Sequence, residues 1–204
     1  MKKDELIKQT KIAFDFLDKL YTELSYLIKE VEGLLQEEQE EFQIGRPGGY
    51  QVTSRKSSSL DANNVKLWSL NTMSVFFAQK KDLKRSGGTT TTQFVEGLKV
   101  IYMRIVLDEP NIKEPYIKIG ILYNFMGKGK STVNKVEQLM GHMEYRYQSV
   151  FSDGNQIEFE DSYVKFSGQL IQVNLFDIIN SEVVAQYLIK PALTAYRQFP
   201  KQAN

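Results

Sequence analysis

Residues 127–132 read Gly-Lys-Gly-Lys-Ser-Thr, the stretch of this chain best suited to chemistry. It follows the apolar run 116–125 and precedes a helical pattern, an order that turns backbone N–H groups and two ammonium groups toward a phosphate. Gly129, Lys130 and Ser131 copy the end of a Walker A motif, in which the lysine reaches the outer phosphates and the hydroxyl holds magnesium. The rest of that motif is missing. Asn124 stands where its first glycine belongs, Phe125 and Met126 put bulk where the loop should wrap, and no parallel strand with a metal-binding aspartate follows. Nucleotide hydrolysis is therefore not expected. A looser phosphate or nucleic-acid contact through Lys128, Lys130, Ser131 and Thr132 is the alternative function, with Lys80, Lys81, Lys84 and Arg85 as a second basic patch.

Other chemistries fare worse. The single histidine, His142, cannot supply the imidazoles of a zinc site, and no serine lies in a Gly-x-Ser-x-Gly elbow. Glu158, Glu160 and Asp161 cluster on one hairpin but read as a solvated strand face, and Asp82-Leu83-Lys84 lacks the partner carboxylate of a nuclease core. Cysteine is absent, which removes disulfides, thiolate metal sites and thiol nucleophiles. No catalytic residue, metal or cofactor is expected.

The elements that would position these groups start with a long helix. Leu6, Ala13, Leu17, Leu20, Leu24, Leu27, Val31 and Leu34 recur at steps of three and four, with Thr10 in the one polar slot. A second file, Ile7, Phe14, Tyr21, Ile28 and Leu35, runs one position behind, so the stripe is too broad for a two-stranded seam and calls for several covering neighbours. The pattern predicts a helix over 4–42, stopped by Gly45, Pro47, Gly48 and Gly49. Its last turns carry Glu37, Glu38, Glu40 and Glu41, read first as a solvated acidic face and, as a poor match for the negative end of a helix dipole, alternatively as a place for fraying or a basic partner.

Beyond the break the period changes to β-rich runs. Strands are predicted at 50–53, 65–78, 98–107 and 116–125, with 80–93 as an exposed hairpin loop. Ser131 is read as the cap of a helix running to Met143, Tyr145, Tyr147 and Phe151 as strand alternation, and Asp153-Gly154 as a hairpin turn before 157–159. Ser167-Gly168 marks a further turn before 170–178, and Asn180 or Ser181 opens a closing helix that Pro191 should kink. The fold class is α+β: a long N-terminal amphipathic helix, a mostly antiparallel sheet body, one short internal helix and a C-terminal helix. The division is a helical segment 1–43 and a sheet domain 44–204, expected to act as one cooperative unit.

Twenty-six Lys and Arg against 25 Asp and Glu give no global field that would attract nucleic acid or a membrane. No apolar run is long enough to span a bilayer and no signal peptide is seen, so a cytoplasmic location is expected. The leading functional expectation is a non-enzymatic assembly subunit. Its first helix, through Leu17, Leu20, Leu24, Leu27, Ile28 and Val31, would pair with a second copy or another protein.

Overall fold

The computed structural model describes residues 3–45, 71–86, 89–109, 111–129, 133–152 and 154–199. The predicted strand at 50–53 and the first part of the one at 65–78 lie outside them, as do Lys130, Ser131 and Thr132.

Helix α1 (Lys3–Gln36) realises the three-four pattern over 34 residues, about 51 Å of axis. It ends six residues earlier than the sequence pattern suggests, because Phe42 is recruited by the sheet. Strand β1 (Phe42–Gly45) pairs with β2 (Thr72–Gln79), and Phe42 buries its ring edge-on against Tyr196 at 4.9 Å between centroids. Between helix and strand, Glu41 turns the chain with a φ of 47°.

A short hairpin, β3 (Lys84–Ser86) and β4 (Thr89–Thr91), forms a separate two-stranded sheet within the expected loop. The main sheet continues with β5 (Lys99–Val106), β6 (Tyr116–Gly127), β7 (Gln156–Glu160) and β8 (Val164–Asn174). Its six strands are antiparallel in the order β1-β2-β5-β6-β8-β7.

Helices cover both faces, so the central strands read as continuous apolar runs and not as alternation. Ile101, Met103 and Ile105 of β5 and Ile117, Ile119 and Ile121 of β6 share a core with Leu24, Val31 and Leu35 of α1. On the opposite face Val100, Tyr102, Leu122, Phe166 and Leu170 pack with α2 (Val136–Arg146) and with Phe151 of α3 (Gln148–Ser152). Tyr145, Tyr147 and Phe151 are thus not strand: the chain stays helical to Arg146, and a second short helix buries Phe151. Gly154, with a φ of 73°, then turns from helix into β7 and does not close a hairpin.

Ser167-Gly168 is likewise no turn, since β8 runs straight through it. A Cβ at 168 would lie 2.6 Å from a methyl of Leu122, so the glycine is there for close packing across the sheet. The reversal falls instead at Asp161, whose Oδ1 accepts from the Tyr163 and Val164 amides, both at 2.8 Å.

The closing helix, α4, is continuous through Ser181–Val183, a π-helical turn Val184–Ile189, and Lys190–Gln198. Asn180 caps it, its side-chain oxygen accepting from the Val183 amide at 2.9 Å. Pro191 offers no N–H, and its ring crowds the carbonyl one turn back. The wider π turn just upstream absorbs that misfit.

Candidate functional site

The described part of the basic turn, 127–129, ends several residues short of the next helix. Strand β6 extends to Gly127, and α2 begins only at Val136, with Lys135 as an N-cap that makes no side-chain capping bond. Just before the helix, the Phe94 amide donates to Asn134 O at 2.8 Å and the Val136 amide to Thr92 O at 2.9 Å. Ser131, expected as the cap of that helix, lies outside the described residues. Lys128 is held by Glu160, which also pairs with Lys165 at 3.2 Å, and these two ammonium groups keep the exposed Glu160 carboxyl below its usual range.

Within the second basic patch, Lys80 and Lys81 lie in a 3-10 turn (Lys80–Asp82), with Lys80 3.4 Å from Glu41. Lys84 donates to Gln93 at 3.4 Å. Gln93 bridges to Lys135, so the root of the β3–β4 hairpin, which carries Arg85, meets the segment leading into α2.

His142 has a carboxylate partner. Its Nε2 lies 2.8 Å from Asp161 Oδ2, with the rings of Tyr147 and Tyr163 5.3 and 5.4 Å away. Burial pushes the Asp161 carboxyl up, but the His142 contact and the two amides outweigh it and hold the group below its ordinary value. This pair ties the β7–β8 turn to α2. Glu158 accepts from Ser167 at 2.8 Å, and among the described residues no three His, Asp or Glu side chains come together in a way that could hold a metal.

Sequence reasoning missed a polar row inside the sheet. Ser74, Arg104, Lys118 and Gln172 are successive cross-strand partners on β2, β5, β6 and β8, and Arg104 and Lys118 are both buried. Arg104 donates to Glu109 at 2.9 Å, the Tyr116 hydroxyl lies 3.2 Å from the same carboxylate, and Lys118 donates to Gly154 O at 2.7 Å. Two neighbouring buried cations are costly unless paired. Here they clamp the connection after β5 and the turn after α3 onto the sheet. The available signal was a charge set in the middle of an apolar strand run, Arg104 within 100–106 and Lys118 within 116–127.

The acidic stretch that the sequence placed in the last turns of α1 lies in the turn after it and meets a basic group. Arg197 of α4 makes two bonds to Glu40, both 2.9 Å, and one to Glu38 at 2.7 Å. The Arg197 bond is the main reason that the Glu40 carboxyl lies below its usual value. Lys99 caps the same end of α4, donating to the carbonyls of Tyr196, at 2.6 Å, and of Phe199.

A run of exposed apolar side chains lies at the other end of α1. Every residue from 3 to 16 is exposed, including Leu6 at 46%, Phe14 at 63% and Phe16 at 62%. Of the six residues expected to form the interaction face, Leu24 and Val31 are buried on the chain's own sheet, and Leu20, Leu27 and Ile28 pack partly against it. Leu17 stands at the boundary. The uncovered surface is thus the tip, N-terminal to the stretch singled out by the pattern. No helix among the described residues is long and apolar enough to cross a membrane. No protein-family model, curated protein or solved structure matches this chain.

Proposed function

We propose that this protein is a non-enzymatic assembly subunit whose α1 tip docks onto another polypeptide chain. One observation carries the reading: about three turns of helix bring Leu6, Ile7 and Phe14 of the apolar stripe, with Phe16 on its flank, into solvent beyond the edge of the body that covers the rest of that stripe. A contiguous apolar patch of a few hundred Å² is uncommon on a monomer and marks a binding surface. The rigid sheet layer anchors the helix by Leu24, Val31 and Leu35, so the tip is presented as a preformed rod and little order must be gained on binding. Phosphate or nucleic-acid binding draws less support, since Lys80, Lys84 and Lys128 already contact Glu41, Gln93 and Glu160.

Light scattering across roughly a hundredfold range of concentration tests the proposal. The expected mass exceeds one 23.5 kDa chain at the upper end and returns to it in the Leu6→Glu, Phe14→Glu double variant. A single-chain particle over the whole range would overturn the reading.

A further inference from the structure

We infer that the occupant of the α1 tip is a second copy of this chain, paired antiparallel about a two-fold axis between the Thr10 and Ala13 layers. This rests on the assembly reading above and names its partner and geometry. When two helices with a three-four repeat run antiparallel, the two alternating seam positions of one copy lie level with each other's counterparts in the second. Here Lys3, Thr10 and Leu17 form one set and Leu6, Ala13 and Leu20 the other. Only a few registers satisfy that rule.

One register sets Leu6 against Thr10 and covers residues 3–13 alone, leaving Phe14, Phe16 and Leu17 bare. Another sets Leu6 against Leu24, which is 3% exposed beneath its own sheet and unavailable. The register between them pairs Leu6 with Leu17, Thr10 with Ala13 and Lys3 with Leu20. It covers the whole exposed stretch of each copy and stops where the helix meets its body. The exposed length is thus self-complementary.

Side-chain sizes agree with this register. The small Thr10 and Ala13 layers lie next to the axis and let the backbones approach, the leucine layers lie outside them, and Ile7 flanks Phe14 while Phe16 flanks Gln9. Lys3, Lys8, Lys11 and Lys19 balance Asp4, Glu5, Asp15 and Asp18, so the paired segments carry no net repulsion. The opposed helix dipoles also attract, whereas a parallel pair would set them alike and crowd both sheet bodies at one end.

Leu6, Ile7, Phe14 and Phe16 each have about 100 Å² left to bury. With the seam between them that makes roughly 500 Å² per copy, about 1,000 Å² in all, the lower bound for a specific interface. The dimer is expected to be reversible.

The chain has no cysteine, which makes single-cysteine pairing a clean test. Leu6→Cys and Leu17→Cys variants are oxidised separately and as a mixture, with Thr10→Cys and Ala13→Cys as a second set that keeps both leucines. Disulfide-linked dimer is expected at least tenfold more abundant in the mixture of Leu6→Cys and Leu17→Cys than with either alone, because like positions lie about 16 Å apart along the axis, beyond the reach of a disulfide. Cross-linking of Leu6→Cys with itself would mean a parallel pair. That result, a particle larger than two chains, or a two-chain particle that gives no cross-link in either set would each overturn this inference while leaving the assembly reading intact. A single-chain mass would overturn both.

Discussion

Leu6 and Leu24 occupy equivalent places in one apolar file of α1, yet the fold treats them oppositely, and truncating each to alanine separates intramolecular packing from association. Leu24 is 3% exposed within the core shared by α1, the sheet and α4. Leu24→Ala removes its transfer energy and leaves a cavity, a loss of about 3 kcal/mol. For a chain of this size that lowers the melting temperature by roughly 6–12 °C. Leu6 is 46% exposed and touches none of that core, so Leu6→Ala changes folding stability by less than about 0.5 kcal/mol. Its effect falls on the assembly instead. Each copy forfeits about 1 kcal/mol of burial, so a dimer loses about 2 kcal/mol and dissociates roughly 30-fold more readily. Calorimetry at a concentration where the particle is a single chain, beside sedimentation at higher concentrations, measures the two effects independently. If Leu6→Ala lowers the melting temperature of the single chain as much as Leu24→Ala, the tip packs on its own body and the reasoning fails.

A Cβ at Gly120 would lie 2.0 Å from the carbonyl oxygen of Gln169 and cannot be accommodated by moving a side chain. Gly120→Ala should therefore cost about 3 kcal/mol in urea unfolding, while Gly33→Ala, with open space around it on α1, should add up to about 1 kcal/mol; equal effects would contradict the strand register. Asp161 has a carboxyl held below its ordinary value of about 3.9, so its stabilisation is fully present above that pH and is lost as pH falls through the lower folded value. The stability gap between the native chain and Asp161→Asn should accordingly shrink on acidification below about pH 4, and a gap independent of pH would refute the assignment.

The fold class could be read from the sequence because two signals were strong. The three-four recurrence from Leu6 to Leu34 has no strand interpretation, and the β-branched runs around Ile101 and Ile119 have no helical stripe. Where the reading slipped, local signals competed with packing. Phe42 continues the helical pattern on paper but is worth more as an edge-strand residue against Tyr196. Ser167-Gly168 looks like a turn, yet its small size serves the contact with Leu122. Tyr145, Tyr147 and Phe151 alternate, a short-range pattern that two short helices also fit.

The candidate site was less legible. The helix that carries it was evident, but which part of its stripe is left uncovered depends on how far the sheet reaches, and that is set by pairings such as Phe42 with Gln79, 37 residues apart. The charged row of Arg104 and Lys118 arises in the same way, from the register of β5 on β6.

The order of apolar and polar residues alone determined that α1 would be an amphipathic rod and that the body would be mostly antiparallel sheet, because backbone geometry fixes the periods of both. Only tertiary structure decided that the rod's C-terminal half is core and its tip is surface. Burial is a property of the neighbours that converge on a residue, and those neighbours come from β1, the central strands and α4, distant in the chain and brought together by strand pairing.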